Sequence, residues 1–428
     1  MKQFLNEKVV ISSIRNLFIL VKYRQYFKNN LSLSLFLIRK FVDMKIGIVC
    51  YPTFGGSGVV ATELGKALAH KGHQVHFISY SQPVRLDFFS GNLFYHEVSV
   101  SDYPLFDYQP YELVLSSKLV DVVKYEKLDL LHVHYAIPHA SAAYMAKQIL
   151  ASQGINIPFI TTLHGTDITL VGKDPSFEPV ITFAINQSDA VTAVSESLKE
   201  DTHINFPNVK KDIKVIPNFI CLDDYQPDDK IQKKMYAPNG ERLLIHVSNF
   251  RKVKRVEDVL RVFDKVRKVM PAKLILVGDG PEKGNIEKLC RELNTCDDIR
   301  SLGKIVNPEQ VLSIADLFLL PSETESFGLA ALEAMASKVP VISTNSGGLP
   351  EVNVNGFSGY LSNVGDVEDM AKNAIHILKD DATLNQFKAN AYEQAKKFDI
   401  AKILPMYENL YKEVLENSRQ IKVMSDEL

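Results

Sequence analysis

The run LFLLPSETESFGLAALEAMASKVPVISTNSGGLPE, residues 317–351, carries two glutamates, Glu325 and Glu333, separated by seven residues. Leu317–Leu320 is a short, wholly apolar run of the kind a parallel strand shows when both faces are covered, and Pro321 ends it. Polar residues 322–326 form a turn. Leu329, Leu332, Met335 and Ala336 then recur at helical spacing, which predicts a helix over 327–337. The next strand is expected over 339–343, and Thr344–Gly348 supply small residues that let a ligand approach the backbone. In open parallel sheets ligands bind beyond the carboxyl ends of the strands, so both polar loops are expected to face one cleft. A helical glutamate is ordinarily solvated. Glu333, however, is surrounded by Ala330, Ala331, Leu332, Ala334 and Met335, and a carboxylate on so apolar a helix needs hydrogen-bond donors such as a ribose diol.

The same alternation of strand, loop and helix extends through the chain. Buried strands are expected over 45–50, 74–79, 94–100, 130–134, 159–163, 190–194 and 214–216, and again over 242–247, 273–277 and 299–302. Residues 221–241 are rich in Asp, Lys, Pro and Gln and read as a domain connection. The fold class is therefore α/β, with two doubly wound, Rossmann-like domains facing a central cleft and helices at the C-terminal end. The expected division is 44–219, 220–385 and a helical tail over 386–428.

With 428 residues the chain exceeds the size of a single core. Its 49 basic and 51 acidic residues, and the absence of Trp, argue against a nucleic-acid binder. Cys50, Cys221, Cys290 and Cys296 match no disulfide framework or zinc knuckle, so all four are read as ordinary thiols of a reducing, cytoplasmic protein. Residues 1–43 hold eight Lys or Arg and two Asp or Glu, and their longest uncharged run is ten residues, too short for a transmembrane span. They are expected to lie outside the fold, which starts at Met44.

Chemistry collects where strands end. Gly55, Gly56, Ser57 and Gly58 follow the first strand and open a helix, an arrangement that suits an anion or a tight structural turn. Tyr135 and His139 follow the fourth strand candidate; His164, Gly165, Thr166 and Asp167 follow the fifth. Arg251, Lys254 and Arg255 form a basic cluster after the first strand of the second half. It is either a solvated charge run or a diphosphate site, in which Arg251 makes paired bonds and Lys254 supplies a point charge. No Walker loop and no DxD pair occurs, so the chemistry is expected to need neither a metal nor another cofactor.

GGSG at 55–58, HGTD at 164–167, SNFRKVKR at 248–255, VGDGPE at 277–282 and ESFGLAALE at 325–333 together resemble the retaining GT-B glycosyltransferases of family 4. The last segment is that family's E-x7-E signature. CYPTFGGSGVVATELG at 50–65, LHVHYAIPHASAAY at 131–144, TLHGTDITLVG at 162–172 and VTAVSESL at 191–198 narrow the likeness. They are similar to members that move N-acetylglucosamine from UDP-N-acetylglucosamine to the hydroxyl of L-malate, the first step of bacillithiol biosynthesis. The resemblance implies a homo-oligomer and front-face transfer with retention. It gives Glu333 the ribose, Glu325 the donor sugar, and Arg251 and Lys254 the diphosphate. Gly56, Ser57, Ser326, Phe327 and Gly328 fall in the donor site, and Ser57, Tyr135, Thr162 and His164 in the acceptor site. Glu325, His164, Arg251 and Lys254 are the implied catalytic set. For the malate carboxylates Arg85, Lys118 and Lys173 are candidates between which spacing does not choose. A transferase with another acceptor (inositol phosphate, a lipid or a sugar) and a noncatalytic sugar-nucleotide sensor are the alternatives.

Overall fold

A computed structural model describes residues 44–53, 55–86, 91–100, 109–225 and 231–426. The expectation for 1–43 lies outside these residues. Within them the first sheet has seven strands: β1 (Lys45–Val49), β2 (Gln74–Ser79), β3 (Leu93–Glu97), β4 (Leu130–His134), β5 (Phe159–Leu163), β6 (Ala190–Ala193) and β7 (Ile213–Val215), in the order β3-β2-β1-β4-β5-β6-β7. The second has six: β8 (Arg242–Val247), β9 (Ala272–Val277), β10 (Ile299–Gly303), β11 (Leu317–Leu320), β12 (Val341–Thr344) and β13 (Gly359–Ser362), in the order β10-β9-β8-β11-β12-β13. Neighbouring strands in both sheets pair in parallel. Each order reverses direction once, between β1 and β4 and between β8 and β11. Diverging connections leave a crevice at each of these points.

The helices are α1 (Gly56–His70), α2 (Tyr111–Glu126), α3 (Ser141–Ala151), α4 (Glu178–Gln187), α5 (Glu196–Asn205), α6 (Val256–Arg267), α7 (Lys283–Glu292), α8 (Pro308–Leu312), α9 (Leu329–Ala336), α10 (Leu349–Val352), α11 (Val367–Leu378), α12 (Asp381–Ala395) and α13 (Ile400–Asp426). α2 and α3 cover one face of the first sheet, where Leu115, Leu119, Ala142 and Ala146 meet Val49 and Val133. The other face is covered by α1 and, from the far end of the chain, by α13. Tyr407 and Tyr411 are fully buried there against Ile46, Ile48 and Ile160. The outgoing and returning connections are bonded to each other: Ile220 N–H donates to the Phe398 carbonyl (3.1 Å) and Ile400 N–H to the Ile220 carbonyl (2.8 Å). A continuous apolar cluster joins the two halves, running from Leu163, Ile168 and Leu198 to Phe327, Leu332 and Leu349.

Local departures from the sequence reading have physical causes. α9 starts at Leu329, because Gly328 takes φ +100° and breaks the run before it. β12 starts at Val341, after Pro340, which offers no N–H to a ladder. β13 was not expected, since the four-residue run GYLS is only partly apolar. Cys290 and Cys296 are joined in a disulfide, which corrects the reading of four free thiols; Cys50 and Cys221 are free. A turn through Asn294, at φ +50°, closes the end of α7 and brings the two Cα atoms to 5.3 Å, within the bridging range. Among the described residues no helix is long and apolar enough to cross a membrane.

Candidate active site

β1 delivers the chain directly to the N-terminus of α1, where Gly56 and Ser57 occupy the first helical turn and carry unpaired backbone N–H groups toward the crevice. Tyr135, at φ +86° after β4, donates its hydroxyl to Ser57 Oγ (2.7 Å) and packs edge-on against Tyr51. After β5, His164 is 9 % exposed and bonds through Nε2 to His134 Nδ1 (2.7 Å). Burial lowers its pKa to about 3, so it enters chemistry at neutral pH as a neutral imidazole. Asp167 supports the loop from behind. Its carboxylate accepts from the N–H groups of Ala136 (2.9 Å) and Gly165 (3.0 Å), and burial, outweighing those bonds, raises its pKa to about 6.

Thr162 is not brought to the crevice. It is fully buried within β5, with Oγ1 bonded to His132 Nε2 and Thr192 Oγ1, each at 2.7 Å. A residue inside a strand covered on both faces has no route to a cleft at the strand's end.

In the second half, Lys254 Nζ stands 2.5 Å from Glu325 Oε1, and Ser322 Oγ donates to the same oxygen (2.9 Å). Glu323 N–H bonds the Val253 carbonyl (2.8 Å), so the loops after β8 and β11 are fixed to each other. Arg251 is exposed at the rim. Arg255 leaves the expected cluster: it turns to Asp258 on α6 (2.6 Å). Gly347 is needed behind Glu325, because at φ +58° an added Cβ would lie 2.0 Å from the Glu325 carbonyl oxygen.

Glu333 is set in the wall, half-buried, and accepts from the Tyr225 hydroxyl (3.3 Å). Burial raises its pKa to about 7, opposed by Arg85 and by the Tyr225 bond. Arg85 also reaches Glu309 (3.7 Å). The structure therefore puts Arg85 on the Glu333 side, and Lys118 on α2 near His96 rather than in the crevice. The side chain of Lys173 lies outside the described residues.

Two contiguous cavities result. One, of about 990 Å³, is lined by Ser57, Tyr135, His164, Arg251, Lys254 and Glu325, together with Ser326, Phe327 and Gly328. The other, of about 630 Å³, runs past Gly56, Arg85, Lys254, Glu325 and Glu333 to an apolar end at Val277, Ile305 and Val306. Lys254 and Glu325 line both. A third, open depression beside α4, of about 680 Å³, contains none of these residues. The halves touch next to the larger cavity: Ser195 Oγ donates to the Ser326 carbonyl (2.6 Å). Glu351 accepts from the N–H groups of Glu196 (3.0 Å) and Ser197 (2.9 Å), capping α5 across the crevice.

Comparison with known proteins agrees with this architecture. Residues 54–224 match the family described as Glycosyltransferase Family 4, and residues 227–394 match Glycosyl transferases group 1. The chain is 50 % identical over 386 residues to N-acetyl-alpha-D-glucosaminyl L-malate synthase of Bacillus anthracis, covering 89 % of this chain and 100 % of that protein. The chain belongs to glycosyltransferase family 4. Among solved structures, this family 4 glycosyltransferase superposes on sucrose-phosphate synthase from Thermosynechococcus elongatus with a TM-score of 0.71 at 21 % identity, over 87 % of this chain and 100 % of the other. It superposes equally, at 0.71 and 19 % identity, on HepE of Anabaena in complex with UDP and glucose, over 86 % and 99 %. These likenesses establish the GT-B fold, and the family makes the protein a UDP-sugar-dependent glycosyltransferase.

Sequence reasoning missed Tyr225, and it left Arg85 as one of three candidates for the malate carboxylates without anticipating its place beside Glu333. Both lie in segments remote in sequence from Glu333, and only the fold brings them to it. Their one sequence signal was composition: an Arg and a Tyr in otherwise connecting segments.

Proposed function

We propose that the enzyme transfers N-acetylglucosamine from UDP-N-acetylglucosamine to the hydroxyl of L-malate with retention of the α configuration, releasing UDP, and that it does so in the cytoplasm. The observation that carries this reading is the 50 % identity over the full length of the Bacillus anthracis protein of that name, combined with a cavity pair of matching chemistry. In this reading residues 44–219 form the acceptor domain, 220–385 the donor domain, and 386–428 the brace. The apolar end at Val277 and Ile305 takes the base, Glu333 the ribose hydroxyls, and Lys254, Arg251 and the α1 N-terminus the diphosphate.

The sugar lies at Glu325 in the larger cavity, and malate lies near Ser57, Tyr135 and His164. The bond from the anomeric carbon to the phosphate oxygen breaks as the bond to the malate oxygen forms on the same face. The malate proton passes to the departing phosphate. Lys254 and Arg251 favour this step because negative charge grows on that phosphate as the bond breaks. Glu325 is held by Lys254 and Ser322, which suits an orienting group rather than a free nucleophile. Arg251 and Lys254 are the cations among the residues lining the larger cavity, so the malate carboxylates draw on the same pair and on backbone N–H groups.

The test is incubation with UDP-N-acetylglucosamine and L-malate, following UDP release and the anomeric proton of the product by NMR. An α-linked malate glycoside is expected. Donor hydrolysis without that glycoside, or transfer to inositol phosphate in preference to malate, overturns the assignment.

A further inference from the structure

A second cluster of chemically capable side chains lies at the edge of the first sheet, outside the crevice. His76 on β2 and His96 on the edge strand β3 point to the face that α2 covers, and Glu126 is the last residue of that helix. His76 Nδ1 and His96 Nε2 face each other at 2.9 Å. One ligand atom from each of the two imidazoles and from the Glu126 carboxylate lies within 4.8 Å of the others. His76 is 1 % exposed, whereas His96 and Glu126 are half-buried, which leaves an opening to solvent.

A hydrogen bond between the two rings does not complete this cluster. Nε2 of His76 is buried without a partner and stays so when Nδ1 faces an ion, so it is the Glu126 carboxylate beside the facing nitrogens that makes the cluster more than a pair of rings. Two imidazoles and a carboxylate form a donor set with an established preference for zinc-class ions, in which a water completes the tetrahedron.

We propose that His76, His96 and Glu126 bind one divalent transition-metal ion of the zinc class, which pins the edge strand β3 to the end of α2. In a tetrahedral zinc site with bonds of about 2.0–2.2 Å, ligand atoms stand about 3.3 Å apart. The two ring nitrogens therefore separate by a few tenths of an ångström, and the half-exposed Glu126 side chain closes the third side. Lys45, whose ammonium bonds the Glu126 carbonyl (3.0 Å), and Lys118 add positive charge nearby, which the Glu126 carboxylate offsets.

The site is separate from the transfer chemistry. Glu112, near the other end of α2, lines the larger cavity, and fourteen residues of helix place Glu126 about 21 Å further along the axis. The ion is thus a fastener for the fold.

The test uses the untagged full chain, stripped with a chelator and titrated with zinc chloride alone in a calorimeter, with cobalt(II) as the spectroscopic probe. One equivalent is expected to bind, with the visible absorption of a tetrahedral nitrogen and oxygen site and a rise in melting temperature. Glu126→Gln and His96→Gln should each weaken binding by more than about tenfold. Both side chains are half-exposed, so the variants should fold, and unchanged glycosyl transfer verifies it. Absence of stoichiometric binding, or binding that neither substitution weakens, overturns the proposal.

Discussion

Replacing Lys254 with alanine separates the two tasks assigned to that side chain. In the resting enzyme its ammonium is 2.5 Å from Glu325 Oε1, and the two side chains are 21 % and 14 % exposed. Removing it strips Glu325 of a charge-assisted partner but leaves the Ser322 hydroxyl at 2.9 Å. Partial exposure reduces the penalty, so the folding cost is about 1 kcal/mol. In the proposed mechanism the same ammonium faces a diphosphate that gains charge, and losing one preorganised donor of this kind would cost about 3–4 kcal/mol. At 1.36 kcal/mol per decade this corresponds to a fall of about 10²–10³ in kcat/KM for the donor. The assay is the initial rate of UDP release with UDP-N-acetylglucosamine varied, alongside a thermal melt. Glu325→Ala and the double variant complete a cycle. If Lys254 acts on the diphosphate directly, the double variant is slower than Glu325→Ala alone; if it only positions Glu325, the two are equal. A folded Lys254→Ala enzyme within about threefold of wild type would refute the reasoning.

Further expectations concern the wall and the contact between halves. Glu333, with an ordinary value of 4.5 raised to about 7, contributes stability that is fully present below 4.5 and lost as pH rises through 7. Glu333→Gln should flatten that decline in denaturant titrations. Ribose hydroxyls favour the charged carboxylate, so UDP binding near pH 6.5 should release protons, read as a buffer-dependent binding enthalpy that vanishes in the same variant. Glu351→Ala removes the cap that the second half places on α5, at a cost under about 1 kcal/mol, and should enlarge the ligand-free radius of gyration in X-ray scattering; an unchanged radius removes the cap as a brake on opening. Gly165→Ala would place a Cβ 1.6 Å from Ser326 Oγ at φ +110°. A loss of about 2 kcal/mol or more is expected, with only partial recovery on adding Ser326→Gly, because the backbone strain persists.

The strands were legible because parallel strands covered on both faces must be continuously apolar, as LLHVH, FITTL and LFLL illustrate in different degrees. Strand ends then located Ser57, Tyr135, His164, Arg251, Lys254 and Glu325, since an open parallel sheet exposes chemistry only there. What failed was direction. Thr162 sits two residues before His164, yet it points into the packed layer, while Arg255 sits beside Lys254 and turns to Asp258. Neighbours in sequence separate as soon as one belongs to a regular element and the other to a loop. The partners of Glu333 were illegible for the opposite reason: Arg85, Tyr225 and Glu309 meet it only in three dimensions.

The helix α13 carries a consequence for how the protein is made. Tyr407 and Tyr411 complete the core beneath β1, and the Tyr411 hydroxyl bonds His132 Nδ1 (2.8 Å), so strands near the start of the fold rest on residues near its end. A ribosome adding about 5–20 residues per second has the first seven strands in hand many seconds before it supplies the helix that covers them. During that interval the part of this face that α1 does not cover lacks its lid and is open to chaperones or to wrong partners. Premature termination shortly before α13 would therefore strike the half of the enzyme synthesised first.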